Sequence, residues 1–250
     1  MSRRGTREKS VRMPVAHGPS IKDIERAERR ARKNPLNWLR EMAIIIICAL
    51  VISSLLRAFL LQVFWIPSAS MRNTLIEHDR IAVSRVSQYT GDIRRGDVVV
   101  FDDTLGWLSK NDTESSSPLR KIAEFTGILP AGGEQTLVKR VIGLGGDHVT
   151  CCTAEGKIEV NGVAISEPYL ASSGPASSMT FDVTVPEGHL WVMGDNRTNS
   201  ADSRYHMGNG QSPYVPESAV VGRAFAVIWP TNRLTWLGDR SVFSGVPDPR

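Results

Sequence analysis

Cysteine is scarce in this 250-residue chain: only Cys48, Cys151 and Cys152 occur, with no C-x-x-C pair and no cysteine/histidine cluster. The five histidines, His17, His78, His148, His189 and His206, show no ligand spacing. No metal and no cofactor is therefore expected. There is no Gly-x-Ser-x-Gly elbow, which lowers the case for a Ser-His-Asp triad without excluding one, since triad members need not be close in sequence. Gly143-x-Gly145-Gly146 opens no helix and lacks the context of a phosphate loop. Aromatic residues make up 7%, and none interleaves the basic N-terminus before Trp38, so nucleic acid is not an expected partner. Internal repeats are absent. The neighbours Cys151 and Cys152 can form only a vicinal disulfide, or remain as two reduced strand cysteines, the simpler reading.

Charge and apolarity are present but segregated. Residues 1–40 hold twelve Lys/Arg against four Asp/Glu, about +8 in a chain whose net charge is +4. Ser20 followed by Asp23 suits the start of a short charged helix over residues 20–33. Residues 42–56 then carry no charge, and apolar character continues past Arg57 to Trp65. The charge-free part reaches roughly 22 Å as a helix, and the continuation to Trp65 completes a bilayer span of ~30 Å. Arg57 would snorkel to the headgroups or pair with the following domain, and Trp38 and Trp65 bracket the segment as interfacial anchors. The basic flank predicts a cytoplasmic N-terminus. Pro67-Ser68-Ala69-Ser70 is rich in small residues, as a signal-peptide cleavage site would be, but a cleavable signal needs a shorter apolar region.

Beyond residue 66 the texture is β. Short β-branched runs at 80–86, 97–101, 136–142, 157–161, 181–185, 189–193 and 222–229 are bounded by turn residues, and Asn161-Gly162 predicts a hairpin. The expected fold is mainly β: an antiparallel all-β domain anchored by one N-terminal transmembrane α-helix. The domains are a basic tail (1–40), the span (41–65), the β domain (66–240) and a loose Pro/Gly-rich tail (241–250). An insertion at 102–135 interrupts the β domain. It holds a polar loop (113–118), a short amphipathic helix (119–125) and Leu105-Gly106-Trp107-Leu108, which would rest on the membrane surface or pack as an excursion.

Serine needs a base to become a nucleophile, and a lysine can serve if burial holds it neutral. Lys139, in Leu137-Val138-Lys139-Arg140-Val141-Ile142, shares a strand face with Leu137 and Val141, which desolvates an amine. Its alternative is a strand lysine whose head reaches solvent.

Four stretches, in order, resemble the bacterial type I signal peptidase family, membrane-bound serine–lysine endopeptidases. They are Ile66-Pro67-Ser68-Ala69-Ser70-Met71 with Thr74-Leu75, the strand Arg95-Gly96-Asp97-Val98-Val99-Val100-Phe101, Val138-Lys139-Arg140-Val141-Ile142-Gly143 through Gly146-Asp147, and Gly194-Asp195-Asn196-Arg197 through Asn199-Ser200-Ala201-Asp202-Ser203-Arg204. The resemblance covers residues 40–237. It implies Ser70 as nucleophile, Lys139 as general base, and an oxyanion hole from the Ser70 amide and the Ser68 hydroxyl. It further implies that Ser200 orients the lysine amine, that Asp202 and Arg204 form a supporting ion pair with Asp195 and Arg140 nearby, and that Ile66 and Val138 wall a small substrate pocket. For Ser200 and Asp202 turn chemistry is the competing reading, and for Ile66 and Val138 core packing is.

The implied activity is cleavage of N-terminal signal peptides from exported preproteins at small-x-small sites, through an acyl-enzyme, on the outer face of the cytoplasmic membrane. Preprotein signal peptides, the lipid bilayer and proximity to the secretion translocon are the implied partners. The sequence departs from the family pattern at Asn73, where proline is common, at Glu77-His78-Asp79 in place of a Gly-Asp turn, and at Thr198 in place of an acidic residue. Two rivals remain: a self-cleaving repressor-type Ser/Lys peptidase, which should carry a DNA-binding helical domain, and a non-enzymatic anchored β domain.

Overall fold

Val98-Val99-Val100-Phe101 is an unbroken apolar run where a half-buried strand would alternate, and its place in the sheet explains it. The computed structural model describes residues 20–22, 24–26, 35–86, 90–108 and 136–249, with the backbone alone at 35–36 and 54–59. Among these, β3 (Val98–Asp102) is an interior strand of an eight-stranded sheet. Val98 and Val100 pack with Phe64, Met71, Leu75 and Ile81, while Val99 and Phe101 pack with Trp107, Val141 and Leu190. Both faces are covered, so both phases of the strand are apolar.

The sheet runs in the order β1 (Leu61–Trp65), β2 (Arg80–Ser84), β11 (Val220–Trp229), β3, β4 (Thr136–Gly143), β9 (His189–Met193) and β10 (Val215–Pro216), with β12 (Thr235–Trp236) on β11. A smaller sheet orders β7 (Val163–Ala164), β6 (Ile158–Val160), β5 (His148–Cys151) and β8 (Phe181–Thr184). The pairings in both are antiparallel, as expected. The hairpin between β6 and β7 turns on Asn161 and Gly162, both at positive φ (50° and 81°), the backbone that Asn-Gly favours. Leu137 and Val141 of β4 belong to one core cluster and Val138 to another, so the predicted alternation around Lys139 holds.

The chain divides into two compact units, Met1–Ile52 and Ser53–Arg250. Helix α1 (Pro35–Phe59) begins on a proline, which the first helical position accommodates. Ile44, Ile45, Ile46 and Ile47 are all exposed, and four successive residues cover every side of a helix, so α1 is apolar all round and uncovered there. Among the described residues no helix is long and apolar enough to cross a membrane. The expected span over 41–65 is also shortened, because Leu61–Trp65 is strand β1, with Phe64 opposite Ile81 and Trp65 opposite Arg80. Burial of Phe64 against Ile81 uses apolarity that the sequence presents as helix continuation. The side chain of Arg57, most of the helix expected over 20–33, and the loop and short helix expected at 113–118 and 119–125 lie outside the described residues. Where described, Ser20 starts a helical turn, its carbonyl accepting from Ile24 N at 3.1 Å.

Of the two readings of Leu105-Gly106-Trp107-Leu108, packing holds at Trp107, which is buried, edge-on to Phe101 and stacked on His206 at 4.3 Å between ring centres. One further expectation changes. The tail after residue 240 is not loose. Ser241–Phe243 forms a 3-10 turn, Phe243 and Val246 enter the core of the smaller sheet, and Asn161 Nδ2 donates to Pro247 O at 3.0 Å. Proline and glycine shape this strap rather than free it, since apolar anchors lie between them. Cys151 and Cys152 are joined as a vicinal disulfide.

Candidate active site

After β1 the chain continues the sheet for one more residue: Ile66 N donates to Asp79 O at 3.0 Å, and His78 N to Ile66 O at 2.9 Å. Ile66, Met71 and Leu75 then sink into the core, and the 3-10 turn Ala69–Met71 holds Ser70 half-exposed above them. Ser68 precedes this turn at its N-cap with extended backbone, and its hydroxyl makes no cap bond. That hydroxyl lies 3.4 Å from Ser70 Oγ instead.

Lys139 comes from the middle of β4 and is 2% exposed. Its Nζ lies 2.8 Å from Ser70 Oγ and 3.2 Å from its neighbour's carbonyl, Val138 O. Burial pulls its pKa down to about 8; the carboxylates of Asp202 and Asp195 oppose the drop and Arg204 adds to it. An amine near neutrality beside a serine hydroxyl can take up the hydroxyl's proton. Among the described residues no histidine bonds Ser70. His206 is buried, with its pKa lowered by desolvation, and bonds Gln211 and Asn209.

The expected supporting residues surround this pair. Arg204 grips Asp202 with two bonds, 2.9 and 2.7 Å, and Asp202 also caps α2 (Ser203–His206) and accepts from Gly194 N at 2.9 Å. Arg140 grips Asp195 with bonds of 2.8 and 2.7 Å and donates to Gly96 O at 2.8 Å. Thr74 adds a bond to the same carboxylate. Gly194 is required by close approach: a Cβ there would fall 2.3 Å from Ser200 Oγ and 2.5 Å from the Ser70 carbonyl oxygen. Ser200 is thus beside Ser70, but its Oγ is buried without a hydrogen-bond partner and does not reach the Lys139 amine. Ile66 and Val138 pack together in one core cluster.

No motif in the sequence points to Asn196, Glu167 or Tyr169 individually. Asn196 clamps the Ala69–Met71 turn, its amide donating to Ser70 O and its Nδ2 to Ala69 O, both at 3.0 Å. The segment 167–171 bolts the other loops together. Tyr169 lies over the Arg140 guanidinium, 3.9 Å from ring centre to carbon, and donates to Glu167 Oε1 at 2.7 Å. Burial, with Glu167 beside it, holds that phenol well above its ordinary pKa, so it stays a donor. Glu167 pairs with Arg197 through bonds of 2.8 and 2.5 Å. Asn73, at φ 88°, donates to both Tyr169 O and Leu170 O at 3.1 Å. Asn196 is visible in the Gly-Asp-Asn-Arg stretch; the strap formed by residues 167–171 carries no sequence signal, because its partners lie up to 97 residues away. At the departing turn His78 takes φ 73°, while Asp79 is fully buried and paired with Arg233.

Comparison with known proteins decides the family. A family model described as "Signal peptidase, peptidase S26" matches residues 38–229. The chain belongs to the signal peptidase I family. A probable signal peptidase I of Mycobacterium leprae is 36% identical, the alignment covering 85% of this chain and 82% of that one. Signal peptidase I of Bacillus licheniformis is 32% identical over 80% of this chain and 94% of its own. A crystal structure of a signal peptidase I from Enterococcus faecalis aligns at 27% identity over 53% of this chain and 96% of that one, with a TM-score of 0.35. This peptidase is a serine endopeptidase, which removes the non-enzymatic rival.

Proposed function

We propose that this peptidase removes signal peptides from exported preproteins with a Ser70/Lys139 dyad. The observation that carries the reading is the 2.8 Å contact between Ser70 Oγ and a buried lysine amine whose pKa is about 8. Neutral Lys139 accepts the Ser70 proton as Oγ attacks the scissile carbonyl. The resulting oxyanion is stabilised by the Ser70 amide and the Ser68 hydroxyl, which no cap bond engages. Lys139 then gives its proton to the leaving amine, and an acyl-enzyme remains. Water, deprotonated by the same amine, hydrolyses that ester and restores Ser70. An oxyanion donor of this kind is worth about 10²–10³ in rate. Ser200, with an unpaired hydroxyl beside Ser70, orients the amine once its side chain turns toward it. Asp202 with Arg204, and Asp195 with Arg140, hold the surrounding loops and set the field at the amine.

Substrate recognition follows from the sheet. β4 pairs with β3 from Thr136 through Arg140, but β9 joins only from Arg140 onward. The other edge of residues 136–138 has no strand on it among the described residues, so an extended peptide can add there and present alternate side chains. Ile66 and Val138 fill the space beneath, leaving room for small side chains, as small-x-small sites require.

The membrane reading rests on surface chemistry. Trp65 and Trp229 both stand opposite Arg80 in adjoining strands, and Trp229, Leu234 and Trp236 are exposed. A row of tryptophans around an arginine suits the headgroup layer. With the all-round apolar α1 it supports a bilayer anchor, a cytoplasmic N-terminus, an outer-face catalytic domain and a position near the secretion translocon.

Purified Ser70→Ala and Lys139→Ala variants assayed on a preprotein test the dyad. Each should lose cleavage by at least about 10³-fold; wild-type rates in either would sink the assignment.

A further inference from the structure

An open groove of about 440 Å³ lies along the 167–171 strap, and none of the residues proposed to act in catalysis lines it. Its deeper wall is apolar, from buried Ile165 and Ala176 and half-buried Leu170. Exposed Glu155, Lys157 and Ser172 form its rim. It does not belong to the β4 edge or to the Ile66/Val138 cluster, which share no residue with it.

Two hydrogen bonds through one peptide unit join this groove to the nucleophile. Ser70 O accepts from Asn196 N at 3.0 Å, and the carbonyl at the other end of that unit, Asp195 O, accepts from Ala171 N at 3.1 Å. The Ala171 amide, in the groove wall, is therefore within about 8.5 Å of the Ser70 carbonyl oxygen, the reach of roughly three extended residues. The nucleophile loop itself runs from Ile66, packed with Val138 of β4, to Asn73, bonded to Tyr169 O and Leu170 O. A peptide whose residues before the scissile bond lie along the β4 edge would cross Ser70 and carry its following residues toward the strap.

We infer that the groove is a subsite for the mature segment of the preprotein, the few residues just after the cleaved bond. This rests on the proposed preprotein-cleaving function. The chemistry fits an extended, mostly polar segment. Its main-chain groups meet the serine hydroxyl and backbone of the rim, one apolar side chain covers Ile165 and Leu170, and a rim with one acid and one base favours neither charge. Such a site would discriminate among preproteins by sequence that the small-residue pockets never contact.

Two experiments on the full chain test this. First, p-benzoylphenylalanine replaces Ser172 in a Ser70→Ala background, and the protein is irradiated with an intact preprotein. Cross-links should fall within about six residues after the cleavage site. Cross-links confined to the signal segment overturn the inference, as does their absence when the variant still retains the preprotein. Second, Gly174→Trp fills the groove at a position where an added Cβ meets no atom within 4 Å. In the unmodified protein, trimming the substrate to two mature residues should raise KM about fivefold with kcat unchanged; in Gly174→Trp the same trimming should change nothing. Equal trimming effects in both overturn it. Failure of the function reading would show separately, as an unmodified protein that does not cleave the preprotein at all.

Discussion

Lys139 holds its amine at a thermodynamic cost. Bringing a lysine from its ordinary pKa of 10.5 to about 8 disfavours the charged form in the folded state by roughly 3 kcal/mol. Because the folded pKa is the lower one, the penalty is complete below pH 8. It fades between 8 and 10.5 as the unfolded chain also gives up the proton, and it is absent above. Lys139→Met should therefore stabilise the protein at pH 7, by about 1–3 kcal/mol in urea unfolding, with the gain shrinking toward pH 10.5. A gain independent of pH would mean that desolvation is not what shifts this amine. Ser200 adds a second local cost, since a buried hydroxyl without a partner forfeits about 1–3 kcal/mol. Both costs sit beside Ser70, where a poised base is useful. Neighbouring buried arginines are better satisfied: Arg95 with Asp147, Arg140 with Asp195, Arg197 with Glu167 and Arg204 with Asp202 each form two bonds to one carboxylate.

At the scale of elements, the C-terminal strap shows how a short irregular segment fixes the site. Arg240 grips Asp97 through bonds of 2.7 and 3.1 Å, and Phe243 lies against Gly96, where an added Cβ would meet its ring at 3.1 Å. The carbonyl of that glycine accepts from Arg140, the residue after Lys139. Phe243→Ala should cost about 3–5 kcal/mol in equilibrium unfolding; a loss under 1 kcal/mol would mean the strap is not anchored by this ring. Such straps are hard to read in a sequence. Val220–Trp229 and Val98–Asp102 are legible because β-branched runs bounded by turns have few other uses, and Asn161-Gly162 because its backbone demand is specific. Leu61–Trp65 was not, because apolar residues that continue a helix and those that bury an edge strand look alike. Ser70, Ser68, Lys139, Asp202 and Arg204 are legible as candidates through motif order. Asn196, Glu167, Tyr169 and the reach of Asn73 depend on contacts between distant loops, which spacing does not encode.

For the whole molecule, sheet and site share one strand: β4 carries Lys139, the proposed base, and among the described residues one edge of its residues 136–138 has no strand on it. A peptide can thus reach Ser70 by extending the sheet, and the exposed tryptophans near Arg80 would bring that edge to the bilayer surface. In vesicles carrying brominated acyl chains, tryptophan fluorescence of the full chain should be quenched, and Trp229→Phe with Trp236→Phe should reduce the quenching. Quenching unchanged by both substitutions would detach this row from the membrane. The most direct test of the Ser/Lys account is the pH dependence of kcat/KM on a preprotein. With the amine's pKa at about 8, kcat/KM should rise about tenfold per pH unit up to that point and level off above it. A profile that is flat across this range, or that falls as pH rises toward 8, would contradict Lys139 as the base.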